Sequence, residues 1–217
     1  PMWEQFVIYL KHMLTCRFGL SFLSRKPVWD ELLSRLPVTL ALTVSSLVIS
    51  AIVGVWLGVK AALNRGRLAE KIVLRSSAIT SSFPGFFIQL VLIMLFARAL
   101  PIFPKRGTVY VTPPAGALNI FLNYIWHMAL PVFSLSLIGF GGWALYVRNL
   151  MIRALSEDFA IMARARGLSR GRVLWHAFRT IRPPILTRLL MAVPGLVSGA
   201  VITESVFSLP GVGTLLL

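Results

Sequence analysis

Cysteine is nearly absent: Cys16 stands alone among 217 residues, which excludes an internal disulfide framework and any CxxC metal or redox motif. No GxxxxGK[ST] phosphate-binding loop occurs, so any nucleotide that drives this chain must be held by another one. His12, His127 and His176 never fall at metal-ligand spacing with each other or with acids, and a nickel or other metal site within the chain is not expected. Segments of alternating hydrophobicity of the kind that build a membrane β-barrel are missing too. The chain opens Pro1-Met2-Trp3 without a signal peptide and stops inside Leu215-Leu216-Leu217, so both ends are expected to continue in a longer protein.

What the sequence has in abundance is apolar surface. Hydrophobic residues make up 57% of it and the mean hydropathy is +0.79, above the usage of ordinary soluble domains, so lipid is the expected solvent. The formal charge of +15 does not point to nucleic acid, because the basic residues lie between long apolar runs, as membrane-protein loops do. Four segments are long enough to cross a bilayer: residues 36–59, 83–100, 125–147 and 185–207. The fold class is therefore an all-α membrane protein, a polytopic helical bundle. Residues 60–82 hold five Lys/Arg and 148–182 hold eight, against only Lys105 and Arg106 in 101–124. The positive-inside rule puts the first two stretches in the cytoplasm and 101–124 with both ends outside. Residues 1–35 then form an extracytoplasmic segment, in which Trp3, Phe6, Val7, Leu10 and Leu14 recur at helical spacing and predict an amphipathic helix.

Within the spans, Gly54 with Gly58 and Gly195 with Gly199 stand four residues apart, the spacing that lets helix backbones approach closely. Pro84, Pro131 and Pro194 are expected to break or kink their spans. Polar Ser81, Ser82, Gln89, Ser134, Ser136, Ser198 and Thr203 either face a watery passage or bond to neighbouring helices, and the packing role is assigned to most. Glu204, near the outer end of the fourth span, needs a partner, since an ionised acid at mid-membrane costs roughly 2.5–3.5 kcal/mol. Arg188 in the same span is too distant along the helix, whereas Arg98 is at the right depth, so a Glu204–Arg98 pair closing the outer side is the candidate gate. The alternative is a snorkelling Arg98 beside an independently hydrated Glu204.

The polar stretch SEDFAIMARARGLSRGRVLWHAF, residues 156–178, interrupts this apolar chain. Ser156 is a candidate N-cap with Glu157 and Asp158 in the first turn, Gly167 a candidate stop, and Ser169 a second cap. The second helix is expected to end at Pro183-Pro184. A DNA-reading helix-turn-helix lacks the supporting core and dimer it would need here. A basic surface resting on anionic lipid and a docking helix for a cytoplasmic protein both remain open.

ARARGL at 163–168, HAFR at 176–179 and Pro184 resemble the EAA loop of permease subunits of ATP-binding cassette (ABC) importers, in the version of the dipeptide/oligopeptide/nickel permeases. GLSF at 19–22, RLPVTL at 35–40, LGVKAA at 57–62 and ESVFSLPGVG at 204–213 follow in the family's order. Ile161-Met162-Ala163 occupy the places of Glu-Ala-Ala in the general form of the loop.

The resemblance implies a type I ABC importer permease with four of a probable six spans in residues 36–217, and a cytoplasmic coupling helix in the loop 148–182. It implies a bacterial inner-membrane subunit that is not an enzyme and holds no cofactor, ATP and Mg being bound by partners. Those partners would be a second homologous permease subunit, two cytoplasmic ATP-binding subunits, an extracytoplasmic substrate-binding protein and membrane lipid. Asp158, Ala163, Arg164, Ala165, Arg166, Gly167, Leu168 and Arg170 would couple to the ATPase, the small residues allowing close approach and the arginines making polar contacts. The implied cargo is di- or oligopeptide, with nickel or another solute as the alternative. A stand-alone secondary transporter or channel and a membrane anchor without transport are the readings from other classes.

Overall fold

The computed structural model describes all residues except 23, 105–106, 108–115, 199–200 and 217, and except the side chains of 195–198. The described chain is helical apart from turns and one isolated bridge, Leu20 with Pro27. Its helices are α1 Met2–Leu14, α2 Val28–Leu63, α3 Leu68–Ser82, α4 Gly85–Ile93 with a π-helical continuation Met94–Ala99, α5 Ala117–Ser156, α6 Asp158–Ala165, α7 Arg170–Ser198 and α8 Val201–Phe207. Helices α2 and α5, of 36 and 40 residues, are long and apolar enough to cross a membrane, and the bent pair α3–α4 would make a third such pass. At 1.5 Å per residue both exceed the roughly 30 Å hydrocarbon core and extend beyond it.

The centre of the bundle is the α2–α5 seam. Along α2, Thr39, Thr43, Ser46, Ser50, Gly54, Gly58 and Ala61 are all buried, at spacings of three and four residues that put them on one stripe. The hydroxyls on this stripe do not go unmet: Thr43 donates to the Thr39 carbonyl at 2.7 Å and Ser46 to Leu42 at 2.6 Å. With side chains this small, the backbones meet, as the glycine spacing predicts. A Cβ built at Gly54 would lie 2.3 Å from Trp143 Cβ, and one at Gly58 would lie 2.6 Å from the Ala144 carbonyl oxygen. The companion pair Gly195 and Gly199 falls outside the described residues, as do Lys105, Arg106 and the Ser198 side chain.

Contacts along α5 fix the relative directions of α2, α3 and α7. Ser46 neighbours Ser136, Gly54 neighbours Trp143 and Gly58 neighbours Val147, so α2 and α5 are parallel. Glu70 reaches Arg148 while Ser77 and Thr80 meet Gly141, so α3 runs antiparallel to α5. Tyr146 donates to the Pro184 carbonyl at 3.2 Å and Arg188 covers Trp143, so α7 is antiparallel too. Helices α2 and α5 therefore run one way and α3 and α7 the other. Two apolar clusters divide the length, one around Leu42, Met128, Leu130 and Leu209, the other around Val147, Met151, Ala177 and Ile181.

Several local expectations are corrected. The stretch 60–82 is not a bare loop: its second half is α3, packed on α5 through buried Val73 and Ser77, with too many serines to register as a span. Pro84 does break the chain, standing at a 98° bend between α3 and α4. Pro131 and Pro194 lie inside continuous helices. Pro183-Pro184 do not end α7 either; the helix runs on through them. Buried Ala177 and Ile181 before the pair and half-buried Ile185 after it pack in one cluster with Val147 and Met151 of α5, and such tertiary packing offsets the lost backbone bonds. The amphipathic α1 forms as its spacing predicts, with no buried residue among Met2–Leu14.

Candidate functional site

The hairpin of α6 and α7 is built from its turn outward. Gly167 adopts φ +77°, a conformation that costs other residues a Cβ clash. Around it, the Leu168 N–H donates to the Ala163 carbonyl at 3.1 Å and the Gly167 N–H to Arg164 at 2.9 Å, the paired bonds of a Schellman motif that close the end of α6. Ser169 stands where α7 begins, its carbonyl accepting from Arg172 and Val173. Ser156 is not the cap of α6. Helix α5 continues through it, so its hydroxyl turns back to the Ile152 carbonyl at 2.9 Å, and extended Glu157 takes the cap position.

Arg164 is the residue whose direction sequence alone misplaces. Its Nε donates to the Ala160 carbonyl at 3.0 Å and its Nη2 to the Leu155 carbonyl near the end of α5. The Leu155 carbonyl, in the last turn of α5, has no intrahelical partner, and a guanidinium there also meets the negative end of the helix dipole. Arg164 therefore braces α6 on α5. Ala160 is fully buried beneath it, and Leu168 turns inward to line a small pocket with Leu155, Arg164 and Val173. The exposed residues are Asp158, Ile161, Met162, Ala165, Arg166, Gly167 and Arg170, the last also at the rim of that pocket, with Ala163 half-buried. Ile161 and Met162 are 55% and 57% exposed, an apolar knob that nothing among the described residues covers.

A second brace lies at the same end. Glu70 Oε2 accepts from the Gly66 N–H at 2.6 Å, and Oε1 accepts from Arg148 Nε at 2.7 Å and also from its Nη2. The Gly66 N–H first, and the Arg148 guanidinium second, hold the Glu70 carboxyl below its ordinary value of 4.5. A lowered folded-state value means that the stabilisation is present at neutral pH and is lost as pH falls through the depressed folded value. Glu70→Gln is expected to cost about 1–2 kcal/mol at pH 7, discounted for solvent at this edge. In thermal melts the difference from wild type should shrink steadily from pH 6 toward pH 3.

At the opposite end, Glu204 is fully buried and Arg98 is exposed. The structure does not bring them together: ion pairs among the described residues join Arg35 to Glu31 and Arg148 to Glu70. Glu204 is instead held by α2 and by the segment that follows α8. Oε1 accepts from the Thr39 hydroxyl at 2.7 Å and Oε2 from the Thr214 N–H at 3.1 Å, while Thr39 Oγ1 accepts the Val212 N–H at 2.8 Å. Gly211 and Gly213 let the loop close over the carboxyl group, since a Cβ at Gly211 would lie 2.3 Å from Glu204 Cδ. Arg35 extends the network to Thr214 at 3.2 Å. Thr39 and the two glycines sit in RLPVTL and ESVFSLPGVG, so the motifs were visible but the contact between them was not.

The remaining polar candidates bond locally. Ser81 donates to the Ser77 carbonyl, Ser82 to Ala78, Ser134 to Pro131, and Ser136 to Val132 and Ser46. Gln89 Nε2 donates to buried Thr203 at 2.7 Å. Among the described residues no three His, Cys, Asp or Glu side chains converge on a metal position.

Residues 54–217 match the family of binding-protein-dependent transport system inner membrane components. The chain belongs to that family. It is thus a multi-pass inner-membrane permease of the ABC importer class, and the braced hairpin and the caged glutamate both lie within the matched residues. A di/tripeptide transport system permease of Pseudomonas aeruginosa is 35% identical over 98% of this permease and 68% of its own length. A dipeptide transport system permease of Escherichia coli K12 is 32% identical over 98% and 68%. The glutathione transport system permease of the same strain is 33% identical over 100% and 66%. This permease spans about two thirds of the length of these relatives. Membership carries with it, in general terms, ATPase and substrate-binding partners.

Proposed function

We propose that this permease forms half of a translocation pathway for di- or oligopeptides, paired with a second homologous permease subunit. Two cytoplasmic ATP-binding subunits would hold ATP and Mg and carry out the hydrolysis. An extracytoplasmic binding protein would deliver the cargo. The relatives named for di- and tripeptides support the cargo. One structural observation supports the mechanism: a short helix, α6, braced on α5 by Arg164 and presenting an exposed apolar knob, which this reading turns to the cytoplasm.

In this reading Ile161 and Met162 enter a groove on the ATPase, flanked by Asp158, Arg166 and Arg170. Ala163, Ala165 and Gly167 keep the backbone close to the partner. Arg164 and Leu168 act from behind by holding α6 against α5 and α7. A push on α6 is then transmitted into α5, and along it to the seam with α2. The outer end is closed by Glu204 with Thr39 and Thr214, without Arg98.

Membranes holding the intact permease pair should bind the purified ATP-binding subunits and take up a labelled dipeptide. Met162→Asp is expected to weaken that binding at least tenfold, as loss of a central apolar anchor does. Arg172→Ala, an exposed change outside the knob, should leave it within twofold. Removal of residues 158–172 should abolish both binding and uptake. Undiminished ATPase binding after that removal would overturn the proposal.

A further inference from the structure

Between the cytoplasmic halves of α2 and α7 lies an open groove of about 700 Å³, lined by Ala51, Ile52, Val55, Trp56, Val59 and Leu63 on one side and Leu174, Trp175 and Phe178 on the other, with Met151 of α5 among the lining residues. Trp56 and Trp175 are each 56% exposed and Ile52 64%. A wall this apolar belongs in hydrocarbon.

Its cations do not. Lys60 lines the groove, its Nζ 3.8 Å from the Trp56 ring centroid. Arg182 stacks over Trp175 at 4.4 Å and Phe178 at 5.4 Å. Neither meets a carboxylate within ion-pair distance among the described residues. Arg182 lies about 10 Å along α7 from Trp175, deeper in the membrane, and its guanidinium reaches back over that ring toward the cytoplasmic end, the direction in which helical side chains point on α7. Lys60 thus lines one wall of the groove, and Arg182 stacks on two rings that line the other.

We infer that this groove binds an anionic glycerophospholipid of the inner leaflet, its acyl chain along α2 and α7 and its phosphate between Lys60 and Arg182. A protein helix would satisfy the apolar wall, but it would have to carry an acidic residue into hydrocarbon to satisfy the cations. A single phosphatidylglycerol supplies both. Basic pockets between helices on the cytoplasmic side recognise such headgroups, each cation contributing about fivefold in affinity. The inference rests on the orientation given above, in which Leu63 and Gly171 lie at the cytoplasmic face.

The test uses the complete transporter in nanodiscs with a phosphatidylglycerol carrying a diazirine on its acyl chain, alongside the matching phosphatidylcholine probe. Adducts from the anionic probe should map to residues 51–63 and 171–178, exceed those from the neutral probe at least fivefold, and be displaced by unlabelled phosphatidylglycerol. That competition needs no variant and so is independent of folding. Lys60→Gln and Arg182→Gln should each lower the labelling about fivefold, whereas Lys71→Gln on α3 should not. Equal labelling by the two probes would mean ordinary annular lipid and overturn the inference. So would an absence of adducts together with crosslinking of Ile52→Cys to a partner helix. Either result with ATPase binding intact would leave the importer reading standing and remove only the lipid site.

Discussion

Gly54→Ala is expected to weaken assembly of the permease severely, while Gly171→Ala does not. At Gly54 the new Cβ would lie 2.3 Å from Trp143 Cβ, 2.9 Å from the Phe140 carbonyl oxygen and 3.1 Å from the Ala144 nitrogen. At least two of those neighbours are backbone atoms of α5, which cannot swing aside as a side-chain end could. Helix α2 must therefore move away as a unit, separating the small-residue stripe over its whole length. Overpacking of a well-fitted core costs about 1–3 kcal/mol and more where backbone is the obstacle. Gly58→Ala meets the Ala144 oxygen at 2.6 Å and Val147 Cβ at 2.9 Å and should behave alike. Gly171, also helical, has nothing within 4 Å of its would-be Cβ; alanine there should be neutral or gain about 0.5–1 kcal/mol from reduced backbone entropy. Melting midpoints of the detergent-solubilised permease separate the cases. A Gly54→Ala protein as stable as wild type would show that the α2–α5 seam is not the tight contact described here.

The contrast between those glycines also shows what sequence can and cannot convey. Gly54 and Gly58 were legible because four-residue spacing is a local property of one helix. So were the helical class, from apolar run length, and Gly167, from its place between two capped segments. Thr39, Thr43, Ser46 and Ser50 continue the same stripe, but hydroxyl residues in an apolar run read equally as packing or as a passage. Helix α3 escaped because its serines dilute its hydropathy, and its burial against α5 is a tertiary fact. Arg164 is a sharper case. Its charge predicted a polar surface contact, yet the nearest unsatisfied carbonyls belong to the end of α5, and only the fold places them within reach. The Pro183-Pro184 pair likewise reads as a stop until the buried faces on either side are known.

Replacing Glu204 by alanine should be the most damaging single change at the end of the bundle opposite the hairpin. It removes the acceptor of the Thr39 hydroxyl and of the Thr214 N–H, leaving two donors unmet where the site is closed to water. Each unmet buried donor costs about 1–3 kcal/mol, and the loop carrying Gly211 and Gly213 loses the group it wraps. Glu204→Gln should fall between wild type and alanine: its oxygen can keep the Thr214 bond, and its amide can donate to Thr39, whose hydroxyl hydrogen must then turn elsewhere. Gly211→Ala gives an independent check, because its Cβ would meet Glu204 Cδ at 2.3 Å and both carboxyl oxygens at 2.4 Å. In the wild-type background it should cost about 1–3 kcal/mol. In the Glu204→Ala background the clashing atoms are gone, and the same substitution should cost less than about 0.5 kcal/mol. That non-additivity is the signature of direct contact. Thr39→Val, which severs the bonds to Glu204 and to the Val212 N–H together, should reproduce most of the Glu204→Ala loss in melting and in dipeptide uptake. Additive costs for Gly211→Ala and Glu204→Ala would mean that the loop closes over something other than the carboxyl group, and that end would then need a different lock.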